Sequence, residues 1–98
     1  YPSEFRLMQN TPNPFNSATT ISYQITENSN VILEVYDLRG IKLQTLVHGL
    51  QVKGYYTIRW DGLDEEHNHI SSGVYIYRLT TSGPSGHFSQ SRRMIYLK

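Results

Sequence analysis

Apolar and polar residues alternate along much of this chain. Ile21, Tyr23 and Ile25 are separated by Ser22 and Gln24, and Val31, Leu33 and Val35 share one face of a segment whose other face carries Ile32, Glu34 and Tyr36. Successive side chains of a strand point to opposite faces, so the pattern predicts two strands, each with an apolar side. No stretch sustains the period of about 3.6 residues that marks an amphipathic helix. Between the two segments, Glu27, Asn28, Ser29 and Asn30 supply turn chemistry and predict a hairpin that makes them neighbours. Asp37-Leu38-Arg39-Gly40 predicts a second tight turn, with the Asp side chain bonding the backbone ahead and Gly40 free to take positive φ.

The return strand of that hairpin is expected from Ile41 to about Val47, with Gly49 and Gly54 bracketing the connection to a strand on which Tyr56, Ile58 and Trp60 share a face. Trp60 is the expected core anchor, since an indole buries more apolar area than any other side chain. Residues 61–73 read as a polar loop. Tyr75, Tyr77 and Leu79 then alternate with Val74, Ile76 and Arg78, a turn follows at residues 82–86, and a last strand is expected over residues 93–97. With a short first strand at residues 5–8, about seven strands result. The expected fold is an all-β, immunoglobulin-like antiparallel β-sandwich.

Composition narrows the function. A chain of 98 residues holds one core, so residues 1–98 are expected to form a single domain. Nine Lys and Arg against eight Asp and Glu leave a net charge of +1, which gives no field to recruit nucleic acid. There is no Cys, hence no disulfide, thiolate metal site or Cys nucleophile. The apolar runs are too short for a transmembrane segment, and the start, at Tyr1, does not resemble a signal peptide. The expectation is a piece excised from a larger secreted precursor. Charge is uneven: every acid lies before residue 67, and beyond it come Arg78, Arg92, Arg93 and Lys98. These cations suit either solvated strand edges or a basic docking face.

Candidate chemistry is sparse. His67 and His69 share a loop with Asp61, Asp64, Glu65 and Glu66, but no spacing matches a metal signature, and no metal or cofactor is expected. There is no nucleophile elbow and no phosphate loop, and the adjacent Glu65 and Glu66 point apart on an extended chain, so no enzyme is expected. Tyr36, Tyr55 and Tyr96 are out of phase with the core positions and could make an aromatic platform, which keeps open a passive surface or carbohydrate-binding module.

Gln9-Asn10-Thr11-Pro12-Asn13-Pro14-Phe15-Asn16 cannot be an interior strand, because two prolines lack donors. It is expected to be a rigid connection between sheets, with Asn13 and Asn16 bonding the local backbone and Phe15 as an apolar plug. This run, with Phe5-Arg6-Leu7 before it and Thr20-Ile21-Ser22-Tyr23 after it, resembles the opening of the type A C-terminal sorting domain of the type IX secretion system. The resemblance continues through Val35-Tyr36-Asp37 with Gly40, Gly54-Tyr55-Tyr56, Trp60-Asp61-Gly62, the run from Ser72 to Leu79, and the close from Met94 to Lys98. Trp60-Asp61-Gly62 and Gly73-Val74-Tyr75 also resemble a related domain of flagellar hook-cap proteins. Two departures stand out. Ser17 replaces a frequent Pro, and His67 replaces a frequent Gly, so that Asn68 is expected to take over the positive φ or the loop to differ.

The resemblance implies a folded tail on an N-terminal cargo domain, recognised by the outer-membrane translocon and removed by the sortase machinery. The cargo would pass through the periplasm and outer membrane to the cell surface or outside. Gly73 and Tyr75, from the family's Gly-x-Tyr, and Arg92, Arg93 and Lys98 near the end are the implied recognition residues.

Overall fold

The computed structural model describes residues 2–98; Tyr1 lies outside the described residues. Among the described residues seven strands form, β1 (Arg6–Leu7), β2 (Thr19–Ile25), β3 (Ser29–Tyr36), β4 (Lys42–Gln51), β5 (Gly54–Trp60), β6 (Gly73–Gly83) and β7 (Gly86–Tyr96). They pair antiparallel into a three-stranded sheet, β1-β2-β5, and a four-stranded sheet, β4-β3-β6-β7. The inward positions are those set by the alternation. Ile21, Tyr23 and Ile25 of β2 face Val31, Leu33 and Val35 of β3 and Tyr75, Tyr77 and Leu79 of β6, all buried. The expected all-β, immunoglobulin-like sandwich is therefore present.

The hairpin expected between β2 and β3 is not formed. β2 pairs with β1 and β5, whereas β3 pairs with β4 and β6, so residues 26–28 cross from one sheet to the other. Turn residues serve a crossing as well as a hairpin, and here long-range bonds fix which one results. The Glu27 carboxylate accepts the Ser85 amide (2.7 Å) and hydroxyl (2.5 Å), and Asn28 Oδ1 accepts the Lys53 amide (3.0 Å). The connection is thus tied to two turns from elsewhere in the chain. Ionised Glu27 is favoured by these bonds, the hydroxyl first and then the amide, so its pKa lies below the usual value.

The Asp37 turn forms as expected, with Gly40 at φ 86° and Asp37 Oδ1 accepting the amides of Arg39 and Ile41. Two strands exceed their expected length. β4 runs past Val47 to Gln51, and β7 begins at Gly86 instead of near Arg93. The early half of β7 escaped the pattern because two of its inward side chains are polar. Gln90 Oε1 accepts the Leu7 amide (3.0 Å), and Arg92 Nε donates to the Leu7 carbonyl (2.5 Å). These side chains stitch the two-residue β1 to the opposite sheet and satisfy buried backbone groups that a longer strand would pair.

At the far end, Trp60 is 3% exposed, and its indole N–H donates to the Leu63 carbonyl at 3.0 Å. In the following loop His67 itself takes positive φ, 67°, contrary to the expectation for Asn68. Asp64 imposes this: its Oδ1 accepts the amides of Glu66 and Asn68, and its carbonyl accepts the His67 amide.

Candidate functional site

Residues 9–16 join β1 to β2, which are neighbours in one sheet, so the segment is not the connection between sheets that was expected. It still bridges the two layers. Met8 donates to the Ser22 carbonyl, and Thr11 and Thr20 exchange backbone bonds of 3.0 and 2.8 Å, which keeps the segment on β2 as far as Thr11. It then swings out to β7. The Phe15 amide donates to the Ile95 carbonyl (3.0 Å), and the Leu97 amide donates to the Phe15 carbonyl (2.9 Å). The Ile95 amide donates to Asn13 Oδ1 (2.8 Å), and Gln9 Nε2 donates to the Arg93 carbonyl (2.7 Å).

These four bonds occupy the free edge of β7 from Arg93 to Leu97. An unpaired edge is a template for adventitious strand pairing, and this loop covers it with groups that cannot propagate a ladder. Asn13 therefore bonds across to the other sheet, not to its own backbone. The local bonds come from Asn10, which is 1% exposed and whose Nδ2 donates to Thr19 Oγ1 (2.9 Å) and the Pro12 carbonyl (3.2 Å). The Asn10 amide donates to the Tyr77 hydroxyl (2.8 Å), which donates in turn to the Met8 carbonyl (2.7 Å). Phe15 is the expected plug, with its ring 5.8 Å from Trp60 and 5.0 Å from Tyr96. The Thr11-Pro12 and Asn13-Pro14 peptides are both cis.

The outcome is one corner of the sandwich where the early loop and the last residues meet. A groove of about 440 Å³ lies there, lined by Pro12, Pro14, Phe15, Asn16, Leu97 and Lys98. Lys98 is exposed, and its amide donates to Ser72 Oγ at 2.9 Å, next to Gly73. Gly73 opens β6 opposite Tyr96. Tyr75 is a core residue, 8% exposed, whose hydroxyl donates to the Ser71 carbonyl. Burial first, then the charges of Asp37 and Tyr96, push its pKa up.

The two neighbouring arginines part company. Arg92 faces inward to Leu7, and Arg93 faces solvent on the opposite side of β7. Lys98, Gly73 and the loop are brought together, Arg93 borders them through Gln9, and Arg92 belongs to the interior.

The aromatic platform does not form. Tyr96 is 2% exposed, and Tyr36 and Tyr55 lie on different sheets. Tyr36 is half-buried, donates to Glu34 Oε1 (2.6 Å) and lies under the Arg78 guanidinium, 5.1 Å away. His67 and His69 are exposed on their loop, and no three of His, Asp and Glu converge among the described residues.

Residues 10–85 match the FlgD Ig-like domain. This chain belongs to that family. The match covers Trp60-Asp61-Gly62 and Gly73-Val74-Tyr75 and stops before β7. Among solved structures, the dimeric latent PorU of Porphyromonas gingivalis is similar with a TM-score of 0.75 at 21% identity, over 98% of this chain and 10% of PorU. FlgD of P. aeruginosa is similar with a TM-score of 0.65 at 25% identity, over 80% of this chain and 61% of FlgD. PorZ of P. gingivalis, described as an essential bacterial surface component of the type-IX secretion system, gives a TM-score of 0.58 at 17% identity over 96% of this chain and 11% of PorZ. This FlgD-like domain thus spans about a tenth of PorU and PorZ and under two thirds of FlgD. No curated protein matches it. Among the described residues no helix is long and apolar enough to cross a membrane.

Proposed function

We propose that this chain is a C-terminal sorting signal that directs an N-terminal cargo domain through the type IX secretion system to the cell surface or outside. The domain is signal and substrate of that machinery and not a catalyst. The observation that carries the reading is the corner at which residues 9–16 close on residues 93–98 through four hydrogen bonds. The opening and closing stretches of the sorting-domain resemblance are thereby one physical unit. Further support comes from the extent of the likenesses. Those to PorU and PorZ cover nearly the whole chain, β7 included, whereas the hook-cap family match ends at residue 85. A passive or carbohydrate-binding role draws no support, because Tyr36 and Tyr55 sit on opposite sheets.

The test is a fusion of residues 1–98 behind a reporter carrying its own inner-membrane export signal, expressed in a bacterium with a type IX system. The reporter is expected at the surface or in the medium, and in the periplasm when that system is deleted. A reporter that remains periplasmic in the intact strain refutes the reading.

A further inference from the structure

The two outer faces of the sandwich differ in kind. On the three-stranded sheet the outward positions include Thr20, Ser22, Gln24, Thr57 and Arg59 with Tyr55, 66% exposed, at one end, a mostly polar surface as expected of an antiparallel sheet that faces water. The four-stranded sheet departs from this. The ladder registers bring Tyr36 beside Ile76 and Ile76 beside Arg93, and Val74 beside Ile95. Leu97 follows at the end of β7, 51% exposed, with Ile95 36% exposed and Val74 and Ile76 half-exposed. A continuous apolar stripe therefore crosses β3, β6 and β7 where solvent should meet polar side chains.

Cations border the stripe. Arg78 and Arg93 are exposed on the same face and Lys98 lies at its end, and none of them forms an ion pair with a carboxylate among the described residues. Glu34 stands opposite Arg78 in the ladder and is already engaged by the Tyr36 hydroxyl at 2.6 Å and approached by Lys42 at 4.0 Å. An apolar centre with a cationic rim is the anatomy of a polar-rimmed protein interface. A second copy fits poorly, because like cations would oppose one another across a two-fold axis. A bilayer also fits poorly: Val74 and Ile76 are half-buried and leave little apolar surface to insert below the headgroups.

We propose that the outer face of the four-stranded sheet, centred on Ile76 and Ile95 and rimmed by Arg78, Arg93 and Lys98, docks an acidic protein surface with an apolar centre. The identification of that partner with a component of the export machinery rests on the sorting reading above. Arg78 supplies part of the rim through its fixed position over the Tyr36 ring, a preorganised contact that loses little side-chain freedom on docking.

The experiment uses the reporter fusion with three variants whose melting is checked first: Ile76→Thr with Ile95→Thr, Arg78→Glu with Arg93→Glu, and Arg59→Glu on the other sheet as control. With the fold retained, both face variants are expected to lower export by about tenfold or more, the scale of a like-charge or desolvated mismatch in an interface, while Arg59→Glu exports as the parent does. Undiminished export of the face variants overturns the proposal even where the parent is exported. If the parent fusion itself stays periplasmic, the sorting reading fails, and the docking face is judged by a photo-crosslinking residue placed at Ile76 or at Thr57 in the same cells. An adduct to an acidic protein at position 76, absent at 57 and abolished by the double charge reversal, sustains the face; no adduct overturns it. Flotation of the domain with phosphatidylglycerol vesicles that is lost in the charge-reversed variant overturns it in favour of a membrane.

Discussion

Replacing Tyr77 and Tyr23 separately by Phe deletes one hydroxyl from each of two equally buried rings, with very different expected costs. Tyr77 is 0% and Tyr23 1% exposed, so the ring packing lost is nil in both. The Tyr77 hydroxyl accepts the Asn10 amide (2.8 Å) and donates to the Met8 carbonyl (2.7 Å). Both partners are backbone groups that cannot turn to water, and Asn10 is 1% exposed. Each buried group left unpaired costs about 1 to 3 kcal/mol, so Tyr77→Phe should lose about 2 to 4 kcal/mol. The Tyr23 hydroxyl donates to Oε1 of Gln51, a half-buried side chain free to rotate outward, and its loss should cost about 1 kcal/mol or less. Urea unfolding followed by tryptophan fluorescence reads the difference; with a slope of about 1 to 3 kcal/mol per molar, a difference of about 1 kcal/mol or more puts the Tyr77 midpoint at least about 0.3 to 1 M below that of the Tyr23 variant. Hydrogen exchange at Asn10, Phe15 and Leu97 should also accelerate in the Tyr77 variant only, because the loop's anchor is gone. Equal midpoints for the two variants would refute the assignment of Tyr77 as the loop's anchor.

Thr81 is 1% exposed, and its Oγ1 has no hydrogen-bond partner among the described residues, so Thr81→Val should be neutral or stabilising by up to about 1 kcal/mol; a clear loss of melting temperature would reveal a partner for the hydroxyl. At Gly83 an added Cβ would lie 2.7 Å from Glu27 Oε2 and 3.0 Å from the Asn28 carbonyl, and the backbone oxygen cannot step aside, so Gly83→Ala should cost about 1 to 3 kcal/mol. An unchanged midpoint would show that the crossing moves freely. The Glu27 carboxyl is held below its ordinary pKa of 4.5, so its contribution is complete above that value and is lost as pH falls through the lower folded value. Acid titration of the melting temperature should accordingly be shallower in Glu27→Gln, and superimposed profiles would contradict this. Burial pushes the Tyr23 and Tyr77 hydroxyls up to about 12, so stability is held below the ordinary value of 10.0 and falls as pH rises from there through about 12, which alkaline melting and phenolate absorbance follow together.

The strands with three consecutive apolar inward positions were legible from alternation: Ile21, Tyr23 and Ile25 in β2, Val31, Leu33 and Val35 in β3, and Tyr75, Tyr77 and Leu79 in β6. Pairing was less legible. Residues 26–28 hold turn chemistry compatible with a hairpin or a crossing, and the deciding bonds run from Glu27 to Ser85, 58 residues away. The first half of β7 was hidden because Gln90 and Arg92 point inward, where the pattern demands apolar residues. His67 was misread for a related reason. The energy that holds it at positive φ comes from Asp64, a residue whose type gives no notice that it will bind three groups ahead of it in the turn.

The candidate site divides along the same line. That residues 9–16 form a shaped loop with Phe15 as plug followed from two prolines and one aromatic among polar residues. Where the loop lies did not follow, since all four of its bonds to residues 93–97 use a backbone group there, and every non-proline residue offers the same amide and carbonyl. The apolar stripe is the converse case. Val74 and Ile76 were visible as apolar residues on the wrong phase of a strand that also carries Tyr75, Tyr77 and Leu79 on the right one. A strand apolar on both faces normally lies between two layers. In this sandwich β6 has a layer on one side only, so its apolar outward start at Val74 and Ile76, before Arg78, is the position where a layer from another molecule completes it.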